Sequence, residues 1–187
     1  MARSPLVLRR DQAVAVFVDV QERLHPEVVR RDEVARNLVR LAKAVRILGV
    51  PAVVTEQAVK SFGPTIAPLR EALEGPGPVH KVAFSCFGSD EFARTLESLG
   101  RRQVLLAGLE THICVCQTAL DAAARGYQVH LARDASSARS EESHRTGLEK
   151  MALGGVVPAS TETALFELLE RAGTDEFRRI LPLIKGA

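Results

Sequence analysis

Tryptophan is absent from this chain, tyrosine occurs once, and aromatic residues make up only 4% of its length. That argues against a platform on which nucleic-acid bases stack. Charge of one sign is also lacking. Lys plus Arg total 25 against 23 for Asp plus Glu, a net charge of +2, so neither nucleic acid nor an acidic membrane is expected as a partner. The basic stretch "VLRRDQ" (7–12) is too short to change that. No apolar run approaches the roughly 18 residues of a membrane span. The opening "MARSPLVLRRDQ" lacks the continuous apolar core of a secretory signal. Cysteines are few and odd in number (Cys86, Cys114, Cys116), which excludes a disulfide framework. A reduced, cytoplasmic protein is the expectation. No G-x-G-x-x-G follows any apolar run, and "GPGP" breaks the one glycine-rich stretch with prolines, so a dinucleotide fold is disfavoured. Repeats, low-complexity segments and linkers are missing too.

What remains is 187 residues, 46% of them apolar, enough for one well-buried domain spanning 1–187 with a core at about 11–183. Short valine-rich runs alternate with amphipathic ones. "AVAVFVDV" (13–20), "VPAVVTEQ" (50–57), "VHKVAFSCF" (79–87), "RQVLLAGLE" (102–110), "YQVHLARDA" (127–135) and "VVP" (156–158) read as strands. "DEVARNLVRLAKAVRILG" repeats apolar residues at Val34, Leu38, Leu41, Val45 and Leu48, the spacing of a helix ending at Gly49. "TIAPLREALEG", "SDEFARTLESLG", "HICVCQTALDAAARG", "SEESHRTGLEKMALGG" and "TETALFELLERAG" supply further helices. Near-continuous apolar strands separated by helices predict an α/β fold: three layers, α/β/α, around a six-stranded, mostly parallel, Rossmann-like sheet.

Ligands of such sheets gather at the carboxyl ends of the strands. That rule selects Asp19 after the first strand, Glu56 and Gln57 at the end of the second, and Lys81 in "VHK". It also selects Glu110 to Cys114 after the fourth strand and Asp134 after the fifth. One edge thereby collects an acid, an amine and a thiol. Cys114 and Cys116 would point about 200° apart on a regular helix, so they cannot chelate one ion together. Cys116 falls in the apolar stripe Ile113, Cys116, Leu120, Ala123 and reads as packing. Cys114 shares its azimuth with Thr118, Asp121 and Arg125 and sits in the first turn. There the helix dipole favours an anion and can lower a thiol's pKa. Residue chemistry alone leaves Cys114 as either a nucleophile or a core thiol.

Taken together, "FVDVQ" with Asp19, "VHKVAFS" with Lys81 and "GLETHICVCQTALDAAARGYQVHLARDASSAR" with Cys114 resemble the isochorismatase-like cysteine hydrolase superfamily. That superfamily includes nicotinamidases and carbamoylsarcosine amidohydrolases. "STETALFELL" and "FRRILPLIK" resemble the tail of the small isochorismatase-domain subgroup. The resemblance implies a hydrolase with an Asp19, Lys81, Cys114 triad. Asp19 would take the thiol proton, Lys81 would hold Asp19 ionised, and the thiolate would form a thioester with an amide-like carbonyl. It further implies an oxyanion hole from the backbone N–H groups of Glu110 and Cys114, and a cis peptide at Leu109–Glu110. Gln21, Leu24, Phe84, Thr111 and His112 become candidate pocket residues for a small, largely planar substrate. Core packing for Phe84, an N-cap for Thr111 and a surface position for His112 are the competing readings.

Departures from the family narrow the expectation. "VVTEQAVKSFGPT" has no histidine where metal-dependent nicotinamidases carry theirs, and His25, His80, His112, His130 and His144 lack ligand spacing. No metal and no other cofactor are therefore expected, which weighs against nicotinamide as substrate. Retention of Cys114 favours C–N hydrolysis over vinyl-ether cleavage. The competing possibility is a non-catalytic binding or scaffold protein of the same fold. A homo-oligomer is expected, with "ILPLIK" as contact surface; Glu56, Gln57 and His112 could serve either the pocket or such an interface.

Overall fold

The computed structural model describes residues 4–75 and 77–185. Six strands form one sheet: β1 (Ala13–Val18), β2 (Ala52–Gln57), β3 (Val79–Lys81), β4 (Gln103–Leu109), β5 (Gln128–Ser137) and β6 (Val157–Ala159). Every pairing between them is parallel, in the order β3-β2-β1-β4-β5-β6. The sheet is thus wholly rather than mostly parallel. Its strands are apolar on both sides because helices cover both faces. In β1, Ala13, Ala15 and Phe17 enter one core and Val14, Val16 and Val18 the other, as a period of two requires.

The first core is closed by α1 (Arg31–Leu48), α3 (Ala67–Leu73), α7 (Thr161–Leu169) and α8 (Asp175–Lys185). The second is closed by α4 (Asp90–Ser98), α5 (Cys116–Ala124) and α6 (Glu141–Leu153). A short α2 (Val59–Phe62) follows β2. Helix ends obey local chemistry. Gly49 takes a left-handed φ of 65° beyond α1, and Ser89, Ser140 and Ser160 cap α4, α6 and α7 by accepting backbone N–H bonds.

Four expectations are corrected. "VHKVAFSCF" is a strand only over Val79–Lys81, after which the chain leaves the sheet. "HICVCQTALDAAARG" is not one regular helix: Thr111–Val115 winds as a π-helical turn before α5 begins at Cys116. Asp134 does not end β5. The strand bulges between its pairings with Leu106 and Gly108 and runs on to Ser137, and Asp134 Oδ1 accepts from the N–H (2.7 Å) and hydroxyl (2.9 Å) of Thr161 at the start of α7. Finally, "ILPLIK" is only in part open: Ile180 is buried, Leu183 and Ile184 pack half-buried on the chain's own first core, and Pro182 is exposed.

Crossovers from β1 through β3 run one way along the sheet and those from β4 through β6 the other. The switch point lies between β1 and β4, the place where α/β sheets open a crevice at their carboxyl ends. Gly108 permits the close approach there. It pairs with Val18 at φ 128°, and a Cβ on it would lie 2.2 Å from the Val18 carbonyl oxygen.

Candidate active site

Asp19 directly follows β1 in a left-handed conformation, φ 50°, which aspartate tolerates better than most residues. Its carboxylate is fully buried. Lys81, the last residue of β3, reaches across β2 to donate to Asp19 Oδ2 at 2.6 Å, with side chains 1% and 0% exposed. The ammonium also meets Gln57 Oε1 at 2.7 Å and the carbonyls of Phe84 and Ala83 at 3.1 and 3.2 Å. Every N–H of the lysine therefore has an acceptor, and the buried charge is paired, as burial demands. Thr55 Oγ1 donates to Asp19 Oδ1 at 2.7 Å.

Cys114 completes the cluster from the π-helical turn after β4. Its pKa is pushed up to about 12, first by burial, then by the negative charge of Asp19, with Lys81 opposing and a hydrogen bond to the Asp19 carboxylate adding to the rise. The lowered thiol pKa expected of a helix N-terminus is overturned. Here desolvation and the neighbouring carboxylate outweigh the dipole and the lysine, and the resting sulfur holds its proton against Asp19. The Leu109–Glu110 peptide just before it is cis.

A second buried thiol stands nearby. Cys86 donates to Thr55 Oγ1 at 3.7 Å, and its pKa is raised to about 11 by burial and then by Asp19. Thr118 Oγ1 accepts from Cys86 N–H at 2.9 Å, and Ser85 donates to Asp121 at 2.6 Å. The polar side of α5 that carries Thr118 and Asp121 thus braces the segment following Lys81. Cys116 is buried in the second core, as its place in the apolar stripe predicts. Asp19 and Lys81 are in direct contact, and Cys114 lies near enough for both charges to act on its thiol.

A family model described as the isochorismatase domain matches residues 13–163. This chain belongs to the isochorismatase family. It is 35% identical over 173 residues to isochorismatase domain-containing protein 2 of Danio rerio, covering 92% of this chain and 86% of that protein. With the secreted isochorismatase effector Isc1 of Phytophthora sojae it shares 34% identity over 177 residues, 92% of this chain and 84% of the effector. Among solved structures, the MAR1 ribonuclease of Caenorhabditis elegans matches with a TM-score of 0.90 at 29% identity, covering 96% of this chain and 92% of that one. YcaC of Escherichia coli, an octameric hydrolase of unknown specificity, reaches a TM-score of 0.90 over 97% and 92% of the two chains. At 20% identity it speaks for the fold alone.

The remaining candidate residues of this isochorismatase-family site divide. Gln21 is fully buried, but its carboxamide joins backbone to backbone. Its nitrogen donates to the carbonyls of Gln57 (3.0 Å) and Gly63 (2.6 Å), and its oxygen accepts from Gln57 N–H at 2.8 Å. No polar atom of that side chain is left to face a ligand. Leu24 packs half-buried on the first core. Phe84 is 56% exposed and so is not core. Thr111 is fully buried, its hydroxyl 2.9 Å from His144 Nδ1. His112 is half-buried, and its Nδ1 is buried without a hydrogen-bond partner.

Thr55 and Gln57 lie on one face of β2 and Glu56 on the other. Glu56 Oε1 accepts from the N–H and hydroxyl of Thr65 at 2.7 and 2.8 Å, tying down a loop away from Asp19. Thr55 and Cys86 are the contributors that sequence reasoning passed over. The legible signal for Thr55 was a polar residue two places before Gln57 within a valine-rich strand. Cys86 gave none.

A groove of about 550 Å³ beside β3 is lined by Ala58, Val59, Ser61, His80, Lys81 and Val82, with Val82 85% exposed. A larger cleft, about 880 Å³, opens at the opposite end of the sheet among Arg10, Arg101, Arg171 and Glu176, away from Asp19, Lys81 and Cys114. Among the described residues no three His, Cys, Asp or Glu side chains gather where they could hold a metal ion, and no helix is long and apolar enough to cross a membrane.

Proposed function

We propose that this chain is a metal-independent cysteine hydrolase of small amide or carbamoyl C–N bonds, working through Asp19, Lys81 and Cys114. The observation that carries the reading is the shared carboxylate: Asp19 accepts from Lys81 at 2.6 Å, and its charge helps to keep the neighbouring Cys114 thiol protonated. As substrate binds, the Cys114 proton passes to Asp19 and sulfur attacks the carbonyl carbon. The carbonyl oxygen takes the charge and is met by the backbone N–H groups of Glu110 and Cys114. Collapse breaks the C–N bond, with the proton on Asp19 moving to the leaving amine, and leaves a thioester. Water then gives a proton to Asp19 and attacks the thioester, releasing the acid and returning the proton to sulfur. Lys81 keeps a positive charge beside the carboxylate throughout.

Ammonia release from a panel of small amides and carbamates tests this, with Cys114→Ala as the blank. Activity must vanish in that variant; activity that persists in it refutes the nucleophile. A second reading, a non-catalytic binding protein, is favoured by one observation: Cys114 is only 7% exposed. Acrylamide separates the two. A YcaC of Pseudomonas aeruginosa with the same fold, TM-score 0.89, was solved with covalent acrylamide. In the hydrolase, Cys114 is modified ahead of Cys86 and Cys116, and Asp19→Asn removes the difference. Equal, slow modification of all three thiols supports the binding protein.

Two coarser expectations belong to the same reading. Three free, buried thiols support work in a reducing, cytoplasmic setting. Self-association is supported by exposed Val82 and Phe84 beside the site.

A further inference from the structure

Three contacts tie the short segment that carries the nucleophile to α6 and to the residue just ahead of its cap. Glu110 Oε2 accepts from the backbone N–H and the guanidinium Nε of Arg139, just ahead of α6, at 3.2 and 3.1 Å. One residue on, Thr111 Oγ1 meets His144 Nδ1 at 2.9 Å, with the two residues 0% and 6% exposed. One turn further along α6, Gly147 lies so close to the segment that a Cβ would sit 2.8 Å from His112 Cα and 2.9 Å from its nitrogen. The segment needs outside support. Its Val115 N–H reaches back to Glu110 at 3.3 Å in the wide bond of a π turn, a conformation that is rare in isolation and recurs at functional sites.

We propose that His144 is a positioning residue: through the Thr111 hydroxyl it holds the π turn in the one geometry that brings Cys114 against Asp19. This rests on the hydrolase reading above. His144 touches neither sulfur nor substrate and acts through Thr111. The bond also has a polarity. With a neutral ring whose Nδ1 is an acceptor, the Thr111 hydroxyl donates; in the imidazolium Nδ1 can only donate, and the hydroxyl must turn round. Burial, then Arg30 and Arg133, hold His144 below its usual range, while Glu141 pulls it upward. Asp134 lines one cavity together with His144, Arg30 and Arg133. The ring is therefore neutral at pH 7 and charges only below its ordinary 6.5.

Four variants test the assignment: Thr111→Val, His144→Leu, the two combined, and His144→Asn, whose amide can stand where Nδ1 stands and does not titrate. Each single deletion is expected to lower kcat about 10-fold with KM changed less than about twofold. The double variant should lose no more than the worse single, because both remove one bond. His144→Asn should restore most of kcat and shift the acid limb of the kcat profile to lower pH. The rate of acrylamide modification of Cys114, followed by mass spectrometry on protein shown folded by circular dichroism, should rank the variants in the same order. Additive losses, or a Thr111→Val protein with unchanged kcat and unchanged modification rate, overturn the proposal. The modification rate keeps the two readings apart. If hydrolysis survives Cys114→Ala, the function assigned above fails, and the ranking of modification rates still decides whether His144 positions the thiol.

Discussion

At the scale of single residues, Lys81 and Asp19 meet 2.6 Å apart with essentially no exposure to water. Removing one partner strands the other charge in a dry interior, at a cost of about 3–5 kcal/mol. Lys81→Met and Asp19→Asn should each lower the urea midpoint by that order, and the double variant should recover part of the loss. Strict additivity would show that the pair is not coupled. Asparagine suits the left-handed φ of residue 19, so its loss reports charge rather than backbone strain. Cys114, held up to about 12, does not titrate between pH 6 and 9. With Asp19 replaced by Asn, so that no base assists, its reaction with iodoacetamide should climb about tenfold per pH unit without a plateau, and a plateau near pH 7 would contradict a thiol that burial keeps protonated. Asp19, Lys81 and Cys114 were legible as candidates because each stands at or shortly beyond the carboxyl end of a strand. Gln57 and Thr55 were not assigned, because which face of a strand looks at a site depends on what lies across the sheet.

At the scale of elements, strand and helix order followed from periodicity, and the misreadings share one cause. "VHKVAFSCF" is apolar enough for a long strand, yet the chain turns away after Lys81 because the ammonium takes the carbonyls of Ala83 and Phe84. The π turn at Thr111–Val115 and the bulge in β5 are likewise set by neighbours, not by propensity. Gly108 is the clearest case: no turn signal surrounds it in the sequence, yet its φ is 128° and β1 passes too close for a Cβ. Gly108→Ala should destabilise by about 3 kcal/mol, from the left-handed φ and the collision together, read as a lowered midpoint in chemical denaturation. A neutral outcome would mean that β1 and β4 can part without loss.

For the molecule as a whole, buried titratable groups limit stability on both sides of neutrality. His130 is fully buried in β5, and neither ring nitrogen meets the geometry of a hydrogen bond. Burial lowers its pKa from 6.5 to about 4, with a Pro5 backbone group offsetting part of the shift. Between those values the unfolded chain binds a proton that the folded chain refuses, so stability falls as pH drops from 6.5 toward 4. Cys86 and Cys114 act at the other end. Raised from 9.0 to about 11 and about 12, they stay protonated when folded while the unfolded thiols ionise, and stability falls as pH rises above 9. Denaturation midpoints measured from pH 4 to 10 should trace a dome, and His130→Leu should flatten its acid side alone. An acid side unchanged in that variant would remove His130 from the account.

The amino-acid order by itself determined the α/β class, the alternation of strands with helices, and the strand-end positions of Asp19, Lys81 and Cys114. Those follow from periodicity and chain connectivity, which are local. Only the tertiary structure decided that Lys81 reaches Asp19 across an intervening strand and that Thr55 and Cys86 join the cluster. It also decided that the Cys114 thiol is protonated rather than activated at rest. Distances between side chains far apart in the chain, and the loss of water around them, exist only once the sheet has closed.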